Sequence, residues 1–448
     1  MLRLSMDEAR GVALAAQGLL QAPPPGPGMD EVSGAIERLG AVQIDTISVV
    51  ERSQYLVLWS RLGAYDPRLL DALLYPQRAV FEYWSHAASI VPMAEYAYYR
   101  PKMLRFAEHM WRGDHAWMER NPDTVRRTLD AVRERGPVAS ADFERPPAAR
   151  PSGPWDWHGP KESRRALEVL WTTGDLMVHS RRAGQKVYDL RERVLAAAFG
   201  DDVPRDDDLP HADDCLRYFI RRTVCALGVV TPSWLWDYFR LVPPNGQTRG
   251  KKLYGAALLD ELVQEGALVP AVVDGLREPA FVARERLHDL ERLHAGDRPT
   301  RTTLLSPFDS LIWDRARARV LFGYEVYFEA YVVPPKRRYG YYCLAILHRG
   351  RLVGRLDPKM NRAERRLVVR ALHLEPHVAA TDELLGGLAG ALCDLARFLG
   401  AAEVTIDRSQ PAPVAAAVAE RLAPLSKAHD LGGCLTGLRR CAPSGAHG

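Results

Sequence analysis

Cysteine is scarce in this 448-residue chain and is never paired at short range: Cys215, Cys225, Cys343, Cys393, Cys434 and Cys441 show no C-x-x-C spacing. That argues against a zinc ribbon or a disulfide framework and fits free thiols in a reduced cytoplasm. Long apolar runs are missing too. No stretch approaches the roughly 20 apolar residues that span a bilayer. The opening MLRLSMDEARGVALAAQGLL carries Asp7, Glu8 and Arg10, unlike a secretory leader. The thirteen histidines form no H-x-x-x-H pair with a helical Glu, so no metal site is legible. Walker A, G-x-G-x-x-G and G-x-S-x-G patterns are absent, which removes support for NTP hydrolysis, hydride transfer and α/β-hydrolase chemistry. No cofactor is expected. A large charge excess of one sign is lacking as well, since the formal net charge is only +4.

What is present is a soluble, globular composition, 47% hydrophobic and 26% charged, in a chain long enough for two to four domains. The charge is unevenly spread. Between Tyr331 and His373 eleven Lys/Arg face only Asp357 and Glu364, a net +9 in 43 residues. Such a patch is of the kind that meets phosphates, although a solvated face beside an acidic neighbour explains it too.

A weak internal repeat organises the first 300 residues. TVRRTLDAVRERGPVASADFE reads as a helix, a Gly136-Pro137 turn and a helix begun at Ser140; RRALEVLWTTGDLMVHSRRAGQKVYDL then gives a helix to Thr173 and two alternating runs. A second copy starts at Cys215. DCLRYFIRRTVCALGVVTPSWLWDYFR gives helix, turn and a Ser/Thr-Pro helix start, followed by a helix ended at Gly266 and a hairpin through Val273-Asp274-Gly275. This is the winged-helix pattern. RLLDALLYPQRAVFEYWSHAASIVP fits its last helix and wing, so three tandem units are expected, at 1–120, 121–205 and 206–300. The expected class is α+β, with a C-terminal domain at 301–448. There, FGYEVYFEAYVVPPKRRYGYYCLAILHRGRLVGRLDPKM reads as β-hairpins turning at Pro334-Pro335 and Arg349-Gly350, part of a small sheet or barrel. Helices at Thr381–Leu399 and near Val414–Leu422 flank a strand in AEVTIDR. Gln21–Gly28 and Arg145–Pro160 read as loops.

Within GAVQIDTISVV, residues 40–50, Gln43 and Asp45 are two apart, so on an extended segment they project together while Val42 and Ile44 anchor the other side. Ser48-Val49-Val50-Glu51 reads as a capping box opening the next helix. Asp45 can act as a general base on a water and stabilise a developing cation, and Gln43 can orient that water. Capping of the helix at Ser48 is the competing role, and the residues alone favour it. In FEYWSHAAS, Phe81, Tyr83 and Ser85 share one face, and Glu82, Trp84 and His86 the other. His86 and Trp84 are substrate or DNA contacts, or core residues. Ser306, Asp309, Trp313, Asp314 and Arg315 of LLSPFDSLIWDR reach a ligand or pack two domains together. Lys336, Arg337, Arg338 and Tyr339 form a basic-aromatic tip that intrudes on a duplex, or a solvated turn.

These segments together resemble the bacterial winged-helix DNA glycosylases of the AlkZ and YcaQ type; RLGAVQIDTISVV, RSQYLVLWSRLGAYD, FEYWSHAAS, LLSPFDSLIWDR and KRRYGYY look like family blocks over nearly the whole chain. The family's active site carries Q-Φ-Q or Q-Φ-D, and Gln43-Ile44-Asp45 is the Q-Φ-D form, like the broader YcaQ branch. The resemblance implies three winged helices lining a concave DNA-binding channel, a C-terminal β-barrel-like domain, and hydrolysis of the N-glycosidic bond of N7-alkylated purines, crosslinked guanines included. It makes Asp45 and Gln43 catalytic, in a monofunctional enzyme without a Schiff-base lysine. The expected partner is double-stranded DNA bearing such adducts or crosslinks, met by a cytoplasmic monomer with no membrane contact, serving repair or self-resistance to a DNA-alkylating natural product. The main rival is a winged-helix transcriptional regulator without catalysis; a damaged-DNA binding protein is a third reading.

Overall fold

The structure, a computed structural model, describes residues 1–109, 112–143, 162–242 and 251–430. The loop expected at Arg145–Pro160, with Cys434 and Cys441, lies outside them. Three small sheets repeat one strand order. A short strand (Val42–Gln43, Val138–Ala139 or Val229–Val230) lies beside the second strand of a hairpin (Ala88–Pro92, Gln185–Leu190 or Ala280–Ala283). The hairpin's first strand (Val80–Trp84, Leu176–Arg182 or Leu268–Val273) lies outermost, or, in the third sheet, pairs further in parallel with Leu2–Leu4. Each hairpin follows a helix, at Pro67–Leu74, Glu162–Thr172 and Lys251–Gln264.

Two expected helices are not regular. Ser140–Asp142 is a single 3-10 turn, and 232–240 is a run of turns. In the latter, Trp234, Leu235, Tyr238 and Phe239 are all buried, so tertiary packing rather than local propensity sets the backbone.

The C-terminal sheet is open, not barrel-like as expected. Thr302–Leu305, Leu344–His348, Arg351–Asn361 and Arg366–Leu374 run antiparallel in that order, and Glu403–Ile406 and Ser409–Gln410 add in parallel to the last of these. A parallel return needs a crossover, which the helix Asp382–Leu399 supplies after its Thr381 cap accepts the Leu384 N–H at 3.2 Å. That crossover carries the chain to the far edge and leaves Thr302–Leu305 as the opposite edge. Of the two expected hairpins only the one through Arg349-Gly350 forms. Residues 323–343 are an irregular loop with one 3-10 turn at Pro334–Lys336. Three of its tyrosines pack around Arg355, whose guanidinium lies 4.4 Å from the Tyr324 ring, 5.3 Å from that of Tyr327 and 4.3 Å from that of Tyr339.

The first sheet is buried on both faces. Val42, Val80 and Ile90 join a core shared with the C-terminal sheet and its helices. Ala41, Phe81, Tyr83 and Val91 join a second core with the other two sheets and their helices. This is the period-two alternation of a strand between two apolar layers.

Candidate active site

Gly40 ends the helix Met29–Leu39 in the left-handed region at φ 68°, where a side chain would run into Arg222 and Phe239. Glycine there lets the chain turn at once into Val42–Gln43. Gln43 pairs with Ser89, and the Ile44 N–H donates to the Ala88 carbonyl at 2.8 Å. The segment is therefore extended, with Val42 and Ile44 against the core and Gln43 and Asp45 half-buried.

Asp45 does not cap a helix. The expected box at Ser48–Glu51 is not formed, because the next helix starts five residues later, at Ser53, with Arg52 as its cap. Instead Asp45 Oδ1 accepts the Ile47 N–H at 2.7 Å, an Asx-type turn. Residues 46–52 are held away from helical geometry by the C-terminal sheet. The Met360 N–H donates to the Val49 carbonyl at 2.9 Å, and Arg362 donates to the Ser48 and Val50 carbonyls at 3.2 and 2.9 Å. Burial raises the Asp45 carboxyl above the ordinary aspartate range, while N–H donors from Ile47 and Thr46 pull it back.

Nearby lies a buried chain of hydroxyls, of which the sequence reading named Ser306 but not its partners Ser53 and Tyr342. Ser306 Oγ stands 2.9 Å from the Tyr342 hydroxyl and 3.2 Å from Ser53 Oγ. Burial raises the Tyr342 phenol, and the negative charge of Asp45 raises it further. These residues come from three separate regions of the chain, and no local pattern announces their meeting.

The other expected site residues divide. The His86 ring lies flat on Trp313, centroids 4.0 Å apart and planes 1° apart. Nδ1 is 3.0 Å from the Asp237 carbonyl. Burial lowers the imidazole below its ordinary range, with Asp237 opposing and Arg240 adding to the fall. Trp84, 36% exposed, packs on Trp171 and donates to Thr172 at 3.3 Å. Glu82, expected on the same face, is buried and receives Arg181 at 2.7 and 2.5 Å. Asp309 is wholly buried against Arg61, and Asp314 caps the helix Arg315–Phe322 by accepting the Arg317 N–H at 3.0 Å. The packing reading therefore accounts for both carboxylates of that motif, while its Trp313 reaches His86.

The expected hairpin tip at Lys336–Tyr339 is a turn, and its residues differ. Glu329 accepts the N–H groups of Arg338 and Tyr339 at 2.7 and 2.8 Å. Tyr339 faces inward onto Arg355, Arg337 lies 5.0 Å from the Tyr341 ring and Arg338 4.9 Å from that of Tyr339, while Lys336 is exposed. The wider basic patch is largely paired: Arg349 with Glu383, Arg351 with Asp7, Arg355 with Glu375, Arg362 with Glu51 and Arg370 with Asp357.

Among the described residues no three His, Cys, Asp or Glu side chains cluster as a metal site would require, and no helix is long and apolar enough to cross a membrane. A half-buried carboxylate and a carboxamide side by side on an extended segment, with basic side chains at the surface, suit hydrolytic chemistry on a polyanion. Residues 36–398 match the family described as DNA glycosylase AlkZ-like, and the chain belongs to that family. Its fold is similar to that of the Streptomyces sahachiroi DNA glycosylase AlkZ, with a TM-score of 0.57 at 18% identity, over 91% of this chain and 100% of that one.

Proposed function

We propose that the chain is a monofunctional DNA glycosylase that hydrolyses the N-glycosidic bond of N7-alkylated purines in duplex DNA, unhooking crosslinked guanines among them. The observation that carries the reading is Asp45: a half-buried carboxylate at the end of a two-stranded pairing, pinned by its own Asx turn, with Gln43 beside it in a chain of the AlkZ-like family. N7 alkylation puts a positive charge on the base and makes it a good leaving group, so little acid assistance is needed. Bond breaking leaves an oxocarbenium-like sugar. Asp45 stabilises that cation and takes a proton from the attacking water, and Gln43 orients the water. No Schiff-base lysine enters the scheme.

In this reading the three repeated sheets and their helices are winged-helix units lining a concave channel, and the Q-Φ-D form places the chain with the broader YcaQ-like branch. Trp84 and His86 at one hairpin tip, and Lys336, Arg337, Arg338 and Tyr339 on the 323–343 loop, are the proposed DNA-side groups. An open channel suits a crosslink, whose base is tethered to the opposite strand and cannot swing into a closed pocket as other glycosylases require. The protein acts as a cytoplasmic monomer.

The test is base release from duplexes carrying N7-methylguanine or a nitrogen-mustard crosslink, with wild type and Asp45→Asn side by side. A general base contributes roughly 10²–10⁴-fold, and a loss of that size is expected in the variant. Because the base must be deprotonated, the wild-type rate rises with pH through an acidic limb displaced upward from that of a free aspartate, in the direction burial shifts Asp45. Equal release by both proteins refutes the assignment of Asp45. Release from neither substrate, with tight binding to one preferred sequence, favours a regulator, whereas a glycosylase binds with little sequence preference and strong salt dependence.

A further inference from the structure

The hairpin tip that holds the catalytic strand also walls a cavity that the proposed reaction leaves unused. Ala88 carries the carbonyl that fixes Ile44, and the residues just before it, Trp84 to Ala87, line an open cavity of about 780 Å³. That volume lies within the range of small-molecule sites, roughly 300–1,000 Å³. Its walls are aromatic and aliphatic: Tyr98, Tyr99, Leu216, Phe219 and Phe239. Phe239 also lies against Gly40, three residues before Gln43.

Three cations border these apolar walls, Lys102, Arg105 and Arg240, the last paired with Asp237 at 2.7 Å, and among the described residues the lining includes no carboxylate. Lys102 is half-buried. Two of its N–H donors go to the carbonyls of Trp84 and Phe239, at 3.2 and 3.3 Å. An ammonium has three donors, so among the described residues one remains for a bound group. Burial, with Arg240 nearby, pulls its pKa down to about 8, so ordinary pH leaves it largely charged. A lysine on an apolar wall, with no carboxylate among the described lining residues, favours an acceptor or anion that arrives attached to a ring.

We propose that this cavity binds a planar aromatic group bearing a carboxylate or a similar acceptor, namely the non-nucleotide part of a bulky N7 adduct whose sugar sits at Asp45. The ring lies among Tyr98, Phe219 and Phe239, and the acceptor accepts a hydrogen bond from the third Lys102 N–H. This inference rests on the glycosylase reading for the source of the ring. The same chemistry in a free aromatic acid would use the same contacts.

The experiment compares base release from N7-methylguanine duplex with release from an N7-(4-carboxybenzyl)guanine duplex, and titrates the protein with the free dye 1-anilinonaphthalene-8-sulfonate. Wild type is set against Lys102→Met, which keeps the stem and removes the charge, and against Ala212→Trp, which crowds the exposed rim. The expected result is a tenfold or greater fall in carboxybenzyl-guanine release in either variant, with N7-methylguanine release within twofold of wild type, so that misfolding is excluded. Equal effects on both substrates, or none on either, overturn the proposal. If wild type releases neither base, the glycosylase reading fails and the dye decides the cavity. Saturable dye binding weakened at least tenfold by Lys102→Met then assigns it to free aromatic acids, and binding unchanged in that variant overturns it.

Discussion

The LLSPFDSLIWDR motif offers a sharp test of whether an acidic residue serves chemistry or packing. Asp309 is wholly buried and Arg61 nearly so. The guanidinium and carboxylate meet in a two-pronged pair, with Nη2–Oδ1 at 2.8 Å. Arg61 also donates to the Gln17 carbonyl and side chain at 3.1 and 3.0 Å and to Ser60 Oγ at 2.8 Å, while the Leu311 N–H reaches Asp309 Oδ1 at 2.9 Å. The pair thus ties the N-terminal helix, the helix Ser53–Leu62 and the C-terminal domain together. Asp309→Ala strands a buried guanidinium, which costs about 3–5 kcal/mol. Against a typical total of roughly 5–15 kcal/mol, that is a fall in Tm of roughly 10 °C. Removing both charges, in Arg61→Met with Asp309→Leu, leaves no orphaned ion and recovers most of the loss. Thermal melts followed by circular dichroism measure both variants, and base release at a temperature where each is folded measures activity. A stable Asp309→Ala protein, within about 1 kcal/mol of wild type, that has lost base release would refute the packing argument and make Asp309 part of the chemistry.

Two further outcomes follow from the same geometry. At Gly340 an added methyl would run into the Asp357 side chain, which also accepts the Tyr342 N–H at 3.2 Å; Gly340→Ala should lose about 1–3 kcal/mol, read as a lower urea midpoint, and an unchanged midpoint would show that the 323–343 loop is not held there. The His86 imidazole is pushed below its unfolded value of 6.5, so the unfolded chain binds its proton first and stability is lost as pH falls below 6.5 toward the folded value; urea midpoints should fall further between pH 7.5 and 5.5 in wild type than in His86→Asn, and equal falls would contradict it.

The hairpins were legible because their signals are local. Period-two alternation and the turns at Ala183-Gly184 and Asp274-Gly275 lie inside a dozen residues. Gln43 and Asp45 were legible as a same-face pair for the same reason. The failures share one cause, partners far away in sequence. Ser48–Glu51 looks like a cap, yet Met360 and Arg362 hold that segment as a loop. The Tyr-rich run at 323–343 reads like a strand, yet Arg355 of the C-terminal sheet gathers rings from both ends of it. The net +9 of 331–373 counts charge along the chain, whereas Glu383, Asp7, Glu375 and Glu51 offset four of those charges across space.

That same non-local bonding explains how a carboxylate two residues beyond a two-residue strand is held still. On one side Asp45 continues a strand fixed by the first hairpin, through Ile44 and Ala88. On the other, the loop after it is bonded to the C-terminal sheet at Val49 and Arg362. Near it, Ser53, Ser306 and Tyr342 join helix, loop and sheet in one hydroxyl chain. Each contact alone is worth about 1 kcal/mol net, too little to restrain a loop by itself. Together they fix it from three directions, the kind of restraint that the proposed role of Asp45 as a base requires. The burial that raises the Asp45 pKa is therefore a product of the same docking that positions it, and the C-terminal sheet is a wall of the site as much as a domain beside it.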